Sequence, residues 1–90
     1  MSDPYASERE KVLAAFAGKL RQLRRRAGIP QEELANRARL HRTSVSYLEQ
    51  ARREPNLHTL MILADTLGVT IDELVSGVPT PQQRRPRRTP

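Results

Sequence analysis

Between residues 41 and 53 the chain gathers hydrogen-bonding and cationic side chains: His41, Arg42, Thr43, Ser44, Ser46, Tyr47, Gln50, Arg52 and Arg53. Val45 and Leu48, three apart among them, share one face if the segment is helical. With Val45 at zero and 100° per residue, the inward side centres near about 330°. Thr43, Ser46, Tyr47 and Gln50 then fall between about 100° and 200°, facing outward. Arg42 stands in the first turn on the flank. Such a face offers donors and acceptors to the edges of base pairs. A helix surface built only for solubility carries Glu, Lys and Ala more often. The spacing suits no other chemistry. No nucleophile stands beside a base, and no glycine-rich phosphate loop occurs. His41 and His58 have neither cysteine nor a carboxylate cluster beside them, so no metal site is expected. No catalytic residue and no cofactor are assigned.

Several elements must hold that face in place. Val12, Leu13, Phe16, Leu20, Leu23 and Ala27 form one apolar stripe, which predicts a first helix over about residues 7–27. Lys11, Lys19, Arg21, Arg25 and Arg26 lie off the stripe, and Gly28 ends it. Leu34, Ala35 and Ala38 predict a short second helix over 31–38, with Pro30 at its entrance. Glu32 and Glu33 suit its positive end. A tight connection, Arg39-Leu40-His41, leads to a third helix over 42–51. Arg52-Arg53-Glu54-Pro55 breaks it. Asn56 caps a fourth helix over 57–67, whose stripe is Leu57, Leu60, Leu63, Ala64 and Leu67. Ile62 falls on its opposite side. Ile62 is either a lone exposed apolar residue or, with Met61 and Val75, part of a self-association patch. Thr70-Ile71-Asp72-Glu73 has capping-box form and predicts a fifth helix over 71–75, closed by Gly77.

Ninety residues support one domain with a modest core. The aromatics are Tyr5, Phe16 and Tyr47 alone, so aliphatic side chains must fill it. Without cysteine, neither disulfides nor thiolate metal sites contribute. No run is long and apolar enough for a membrane span. A cytoplasmic protein is expected, nucleoid-associated if bacterial. Net charge is +6, yet Arg84, Arg85, Arg87 and Arg88 supply four of the sixteen basic groups. The other twelve, against ten acids, leave residues 1–77 at +2. Charge alone therefore does not argue for nucleic acid. The expected division is an N-terminal extension over 1–10, a helical domain over 11–77, and an Arg/Pro-rich tail over 78–90. With four prolines and little apolar surface, that tail is expected to be disordered.

Two short helices joined by a tight turn form a helix-turn-helix unit over 31–50. Its steep crossing needs a small residue at closest approach, and Ala35 is there. Its turn needs a residue tolerant of left-handed dihedrals, and Arg39 takes that place. Leu40 tucks beneath the turn. Residues 20–35 read L-R-Q-L-R-R-R-A-G-I-P-Q-E-E-L-A, and 40–49 read L-H-R-T-S-V-S-Y-L-E. Residues 52–60 read R-R-E-P-N-L-H-T-L, and 63–74 read L-A-D-T-L-G-V-T-I-D-E-L. In order and spacing these blocks resemble the lambda-repressor-like, or Xre/Cro-type, helix-turn-helix family. The run R-T-S-V-S-Y-L-E is also similar to small restriction-modification controller proteins.

The resemblance implies an all-α, five-helix fold and a two-fold dimer on operator DNA. Three positions depart from the family pattern. Pro30 replaces a capping Ser or Thr, at about 1 kcal/mol of helix stability. Arg39 and Ala51 stand where the family has glycine, each at a cost on the order of 1 kcal/mol.

The roles follow. Arg42 is assigned to a base edge, with a phosphate clamp as its alternative. Thr43 and Tyr47 match the family's base-reading positions; a half-buried packing ring is the alternative for Tyr47. Ser46 shares the base-facing arc. Ser44 is assigned to phosphate, and a plain solvated hydroxyl is the alternative for either serine. Gln31 resembles the family's phosphate-binding glutamine, with a solvated side chain as alternative. His41, Gln50, Arg52 and Arg53 are assigned to the DNA backbone, although Arg53 also matches a structural arginine. The resemblance implies an Arg24–Glu49 ion pair between the first and third helices. The tail is read as a salt-sensitive arm or as a segment without a role.

The expected function is sequence-specific transcriptional regulation by a homodimer on a palindromic operator, read by the recognition helix 42–51. The alternative is an antitoxin-type module that binds a protein partner and represses its own operon. That alternative needs apolar surface beyond the core.

Overall fold

Apolar spacing and helix-stop residues divide the backbone into five α-helices. The computed structural model describes residues 6–80. Its helices are α1 (Ala6–Arg26), α2 (Gln31–Ala38), α3 (Arg42–Glu49), α4 (Leu57–Leu67) and α5 (Ile71–Leu74). No strand occurs among the described residues. Phe16, Ala17, Leu20 and Leu23 turn α1 inward, and α2 adds Leu34, Ala35 and Ala38. Val45 and Leu48 of α3, Leu63 and Ala64 of α4, and Leu74 of α5 complete the core. Leu20, Leu34, Leu63, Leu74 and Val45 are its largest fully buried side chains. Each contributes roughly 1.5–3 kcal/mol of burial, against the entropy of ordering the chain. Helix α3 packs against both α1 and α2, while α5 joins α4 to α1.

Helices α1 to α4 end in the same turn. In each, one residue takes the left-handed conformation, and the next N–H reaches back to the carbonyl five residues earlier. Gly28 and Gly68 make this turn after α1 and α4, at φ 74° and 70°. Arg39 and Ala51 make it after α2 and α3, at φ 58° and 59°. The reaching-back bonds are Leu40 N–H to Ala35 O at 2.8 Å and Arg52 N–H to Tyr47 O at 2.9 Å. Both turns that bound α3 on its two sides are therefore made without glycine, as the sequence reading expects. Their backbone is the same; only the side chain makes them costlier.

At the helix starts, Asn56 Oδ1 accepts from Thr59 N–H at 2.8 Å, and Thr70 Oγ1 accepts from Glu73 N–H at 3.0 Å. Both expected caps are in place. The Glu73 carboxylate goes to Arg26 at 2.6 Å and ties the end of α1 to α5. Pro30 gives α2 no side-chain cap. Its carbonyl still accepts from Leu34 N–H at 3.1 Å.

Three sequence expectations are corrected. The third helix stops at Glu49, not Ala51, because the turn at Gln50 and Ala51 already reverses the chain. The fifth stops at Leu74, with Val75 as its cap. Ile62 packs against the core, while Leu57 is 69% exposed. The buried arc of α4 spans about 200°, from Ile62 through Leu63 to Ala64, wider than one stripe. Helix α4 lies between α2 and α5 and so buries two sides. Leu57 opens α4, and its Cβ leans toward the helix start, past these neighbours. Helix α1 begins at Ala6, next to the expected start of the first helix. At the other end Val78 packs on the core. Residues 81–90, and with them the rest of the tail reading, lie outside the described residues.

Candidate nucleic-acid interface

One carboxylate holds α3 in place. Glu49, the last residue of α3, is the one buried charged side chain among the described residues. Arg24 of α1 meets it with two prongs: Nε to Oε2 at 2.6 Å and Nη2 to Oε1 at 3.0 Å. Gln31, the first residue of α2, donates from Nε2 to Oε1 at 3.0 Å. Arg21, one turn before Arg24, donates to the Glu49 main-chain carbonyl. A guanidinium there also complements the negative end of α3. Arg24 Nη1 continues to Ile29 O at 2.9 Å, fastening the α1–α2 turn. Three helices therefore converge on one residue. The hydrogen bond that Arg24 donates to Glu49 raises its pKa above the ordinary value against the opposing effect of burial, and Coulomb attraction to the same carboxylate adds to the rise. At neutral pH the stability linked to this shift is fully present, and it is lost as pH climbs through the raised value.

With its inward side committed, α3 turns its remaining groups outward. His41 forms the N-cap without a side-chain cap bond, and His41, Arg42 and Thr43 are exposed. Ser46 and Gln50 are joined across one turn, Gln50 Nε2 donating to Ser46 Oγ at 2.6 Å. The half-buried Tyr47 ring carries two cations: the guanidinium carbons of Arg52 and Arg53 lie 5.6 Å and 5.1 Å from its centroid. Arg42, Thr43, Ser46, Tyr47, Gln50, Arg52 and Arg53 are thus neighbours along one end and one side of α3.

Two assigned residues sit elsewhere. Ser44 is half-buried in a shallow hollow between α3 and the start of α4, with Leu40, Arg53, Asn56 and Thr59 around it. Gln31 spends one amide N–H on Glu49, which makes it part of the α3 anchor in the free protein. The sequence reading treated it as a phosphate ligand or a solvated side chain and did not foresee this bond. It also missed Arg21, placing it off the stripe of α1. The signal was present: Arg21 and Arg24 are three apart on one helix and so share a side.

Residues 20–74 match the helix-turn-helix family model HTH_3. The chain belongs to the lambda-repressor-like, Xre-type helix-turn-helix family. Among its relatives in that family, the transcriptional activator BcrR of Enterococcus faecalis is 40% identical over 62 residues, covering 69% of this chain and 30% of BcrR. The transcriptional regulator DdrOP3 of Deinococcus deserti is 38% identical over 60 residues, covering 67% of this chain and 46% of DdrOP3. The chain thus spans less than half the length of either. The restriction-modification controller protein C.AhdI of Aeromonas hydrophila superimposes with a TM-score of 0.68 at 35% identity, covering 69% of this chain and 94% of C.AhdI. The five-helix, lambda-repressor-like fold read from the sequence is the observed one. Among the described residues no helix is long and apolar enough to cross a membrane, and no cluster of His, Asp or Glu could hold a metal ion.

Proposed function

We propose that this chain is a sequence-specific DNA-binding transcriptional regulator that places α3 in the major groove of double-stranded DNA. The observation that carries the reading is the orientation of α3. Its inward side is fixed by Val45, Leu48 and the Glu49 cluster, which leaves Arg42 and Thr43 exposed and Ser46 half-buried beside them. Arg42 pairs with a guanine edge, worth roughly 1–3 kcal/mol of base discrimination. Thr43 and Ser46 complete the base-facing set. His41, Gln50, Arg52 and Arg53 meet backbone phosphates, which set position and salt dependence. The regulators among its relatives and the controller protein support this reading. Two copies bind as a homodimer to a palindromic operator, their α3 helices entering successive major grooves about 34 Å apart. The site of action is the nucleoid of a bacterial cytoplasm.

One observation favours a second reading, an antitoxin-type module with a protein partner. Leu57 and Met61, one turn apart on α4, are 69% and 55% exposed. Selection of bound sequences from a random DNA pool, repeated with Arg42→Ala, decides between the two. A two-fold palindrome whose guanines relax in the variant supports the operator-binding regulator. No enriched sequence, with weak binding alone, overturns it in favour of the protein partner.

A further inference from the structure

Tyr47 stands on the outward side of α3, yet its ring is already occupied. Both guanidiniums lie within the roughly 6 Å at which an aromatic face attracts a cation. The backbone enforces the arrangement. Ala51, left-handed at φ 59°, reverses the chain after α3, and Arg52 N–H bonds to the carbonyl of Tyr47 itself at 2.9 Å. Arg52 and Arg53 therefore start beside the ring they cover. Neither side chain makes a hydrogen bond or an ion pair among the described residues. Contact with a ring uses no oxygen acceptor, so their N–H groups remain available. A guanidinium is a fork suited to two oxygens of one phosphate.

We propose that Tyr47 is a positioning residue rather than a base reader. Its ring seats Arg52 and Arg53 as a paired clamp for phosphates of the DNA backbone. The inference rests on the DNA-binding reading above and refines the role of Tyr47 within it. Arginine carries large rotamer freedom, which a phosphate contact must remove. The ring removes part of it beforehand, through its attraction for both guanidiniums. With a guanidinium carbon at 5.6 Å and another at 5.1 Å from its centroid, the ring is engaged by cations before DNA arrives. The quadrupole matters here, not the hydroxyl, so phenylalanine should serve and an aliphatic residue should not.

The test uses the full chain and two duplexes, the selected operator and a scrambled one, titrated across a range of salt concentrations. Variants are Tyr47→Phe, Tyr47→Leu, the double Arg52→Ala/Arg53→Ala, and the triple that adds Tyr47→Leu. Tyr47→Phe is expected to stay within about twofold of wild type on both duplexes. Tyr47→Leu should weaken both by the same factor, on the order of tenfold, and flatten the salt slope by about 1 to 2, as the loss of one or two phosphate contacts does. The triple variant should bind like the double, because the ring acts through the arginines. Loss of preference between duplexes at unchanged slope overturns the inference and returns Tyr47 to base reading. So does a triple variant weaker than the double by the full Tyr47→Leu factor. A wild-type chain that binds neither duplex overturns the DNA-binding reading itself, and this inference with it. One measurement needs no variant: in the free protein, the Cδ protons of Arg52 and Arg53 should be shifted upfield by the Tyr47 ring. Ordinary shifts overturn the seat.

Discussion

Arg24 and Glu49 face one another as a fork against a carboxylate, with 11% and 1% of their side chains exposed. An ion pair this far from water owes its stability to geometry, because each charge has lost hydration that protein groups must replace. Here the geometry is favourable: the carboxylate accepts from two guanidinium nitrogens and from Gln31, and no buried side-chain polar atom among the described residues lacks a partner.

Glu49→Ala is expected to destabilise the fold by about 3 kcal/mol or more, since Arg24 is left without its counter-charge. A domain of this size has only about 5–15 kcal/mol in total. The midpoint of urea unfolding measures the loss. Arg24→Ala combined with Glu49→Ala should cost less than the sum of the single variants. DNA sequence preference of the folded fraction should not change. An undiminished midpoint with altered preference would place Glu49 in the interface instead.

Arg39→Gly and Ala51→Gly should each raise stability by about 0.5–1 kcal/mol, because glycine adopts the left-handed conformation without a Cβ penalty. For a chain of this length that is several degrees in Tm. Gly68→Ala should move Tm the other way. Two glycine variants that both lower Tm would show that the side chains at 39 and 51 make contacts worth more than the strain.

On α4, Ile62→Ala and Leu57→Ala should separate sharply. Ile62 is half-buried against the core and should cost about 1–2 kcal/mol, short of the value for a fully enclosed isoleucine. Leu57 is exposed and should stay within about 0.5 kcal/mol of wild type. Denaturant midpoints with unchanged slopes are the readout. The reverse order would restore the single-stripe reading of this helix.

Two truncations dissect the C-terminus. A chain ended after Thr80 keeps Val78 and should unfold like the full chain, while losing four arginines. Its affinity should fall equally on all DNA sequences, with a slope in salt flatter by about 0.9 for each phosphate contact removed. A chain ended after Gly77 should in addition lose about 1 kcal/mol of stability with the Val78 side chain. Equal unfolding midpoints for the two would show that Val78 contributes nothing.

Much of this architecture is local information and is legible in order along the chain. Gly28, Asn56, Gly68 and Thr70 mark helix ends through the backbone and side-chain chemistry of a few neighbouring residues. The outward face of α3 follows from two inward residues and the pitch of a helix. What the sequence does not display is anything that depends on which elements meet. Ile62 reads as exposed because a wheel assumes one buried side, whereas α4 lies between α2 and α5. Gln31 and Arg21 read as surface groups because nothing in their own helices reveals that both reach Glu49. The stacking of Arg52 and Arg53 on Tyr47 needs the chain reversal at Ala51, and an alanine does not announce one.

The anchor of α3 lies at its final residue and on its inward side, whereas Arg42, Thr43 and Gln50 are exposed and Ser46 bonds to Gln50 alone. Address and chassis are therefore separable in this chain. Arg42, Thr43 and Ser46, the letters that would specify a binding site, can be rewritten as a block of three, without reopening the core or the Glu49 cluster. A scaffold with that property can be duplicated and re-addressed by a handful of substitutions, each tolerated by the fold before it is useful to the cell.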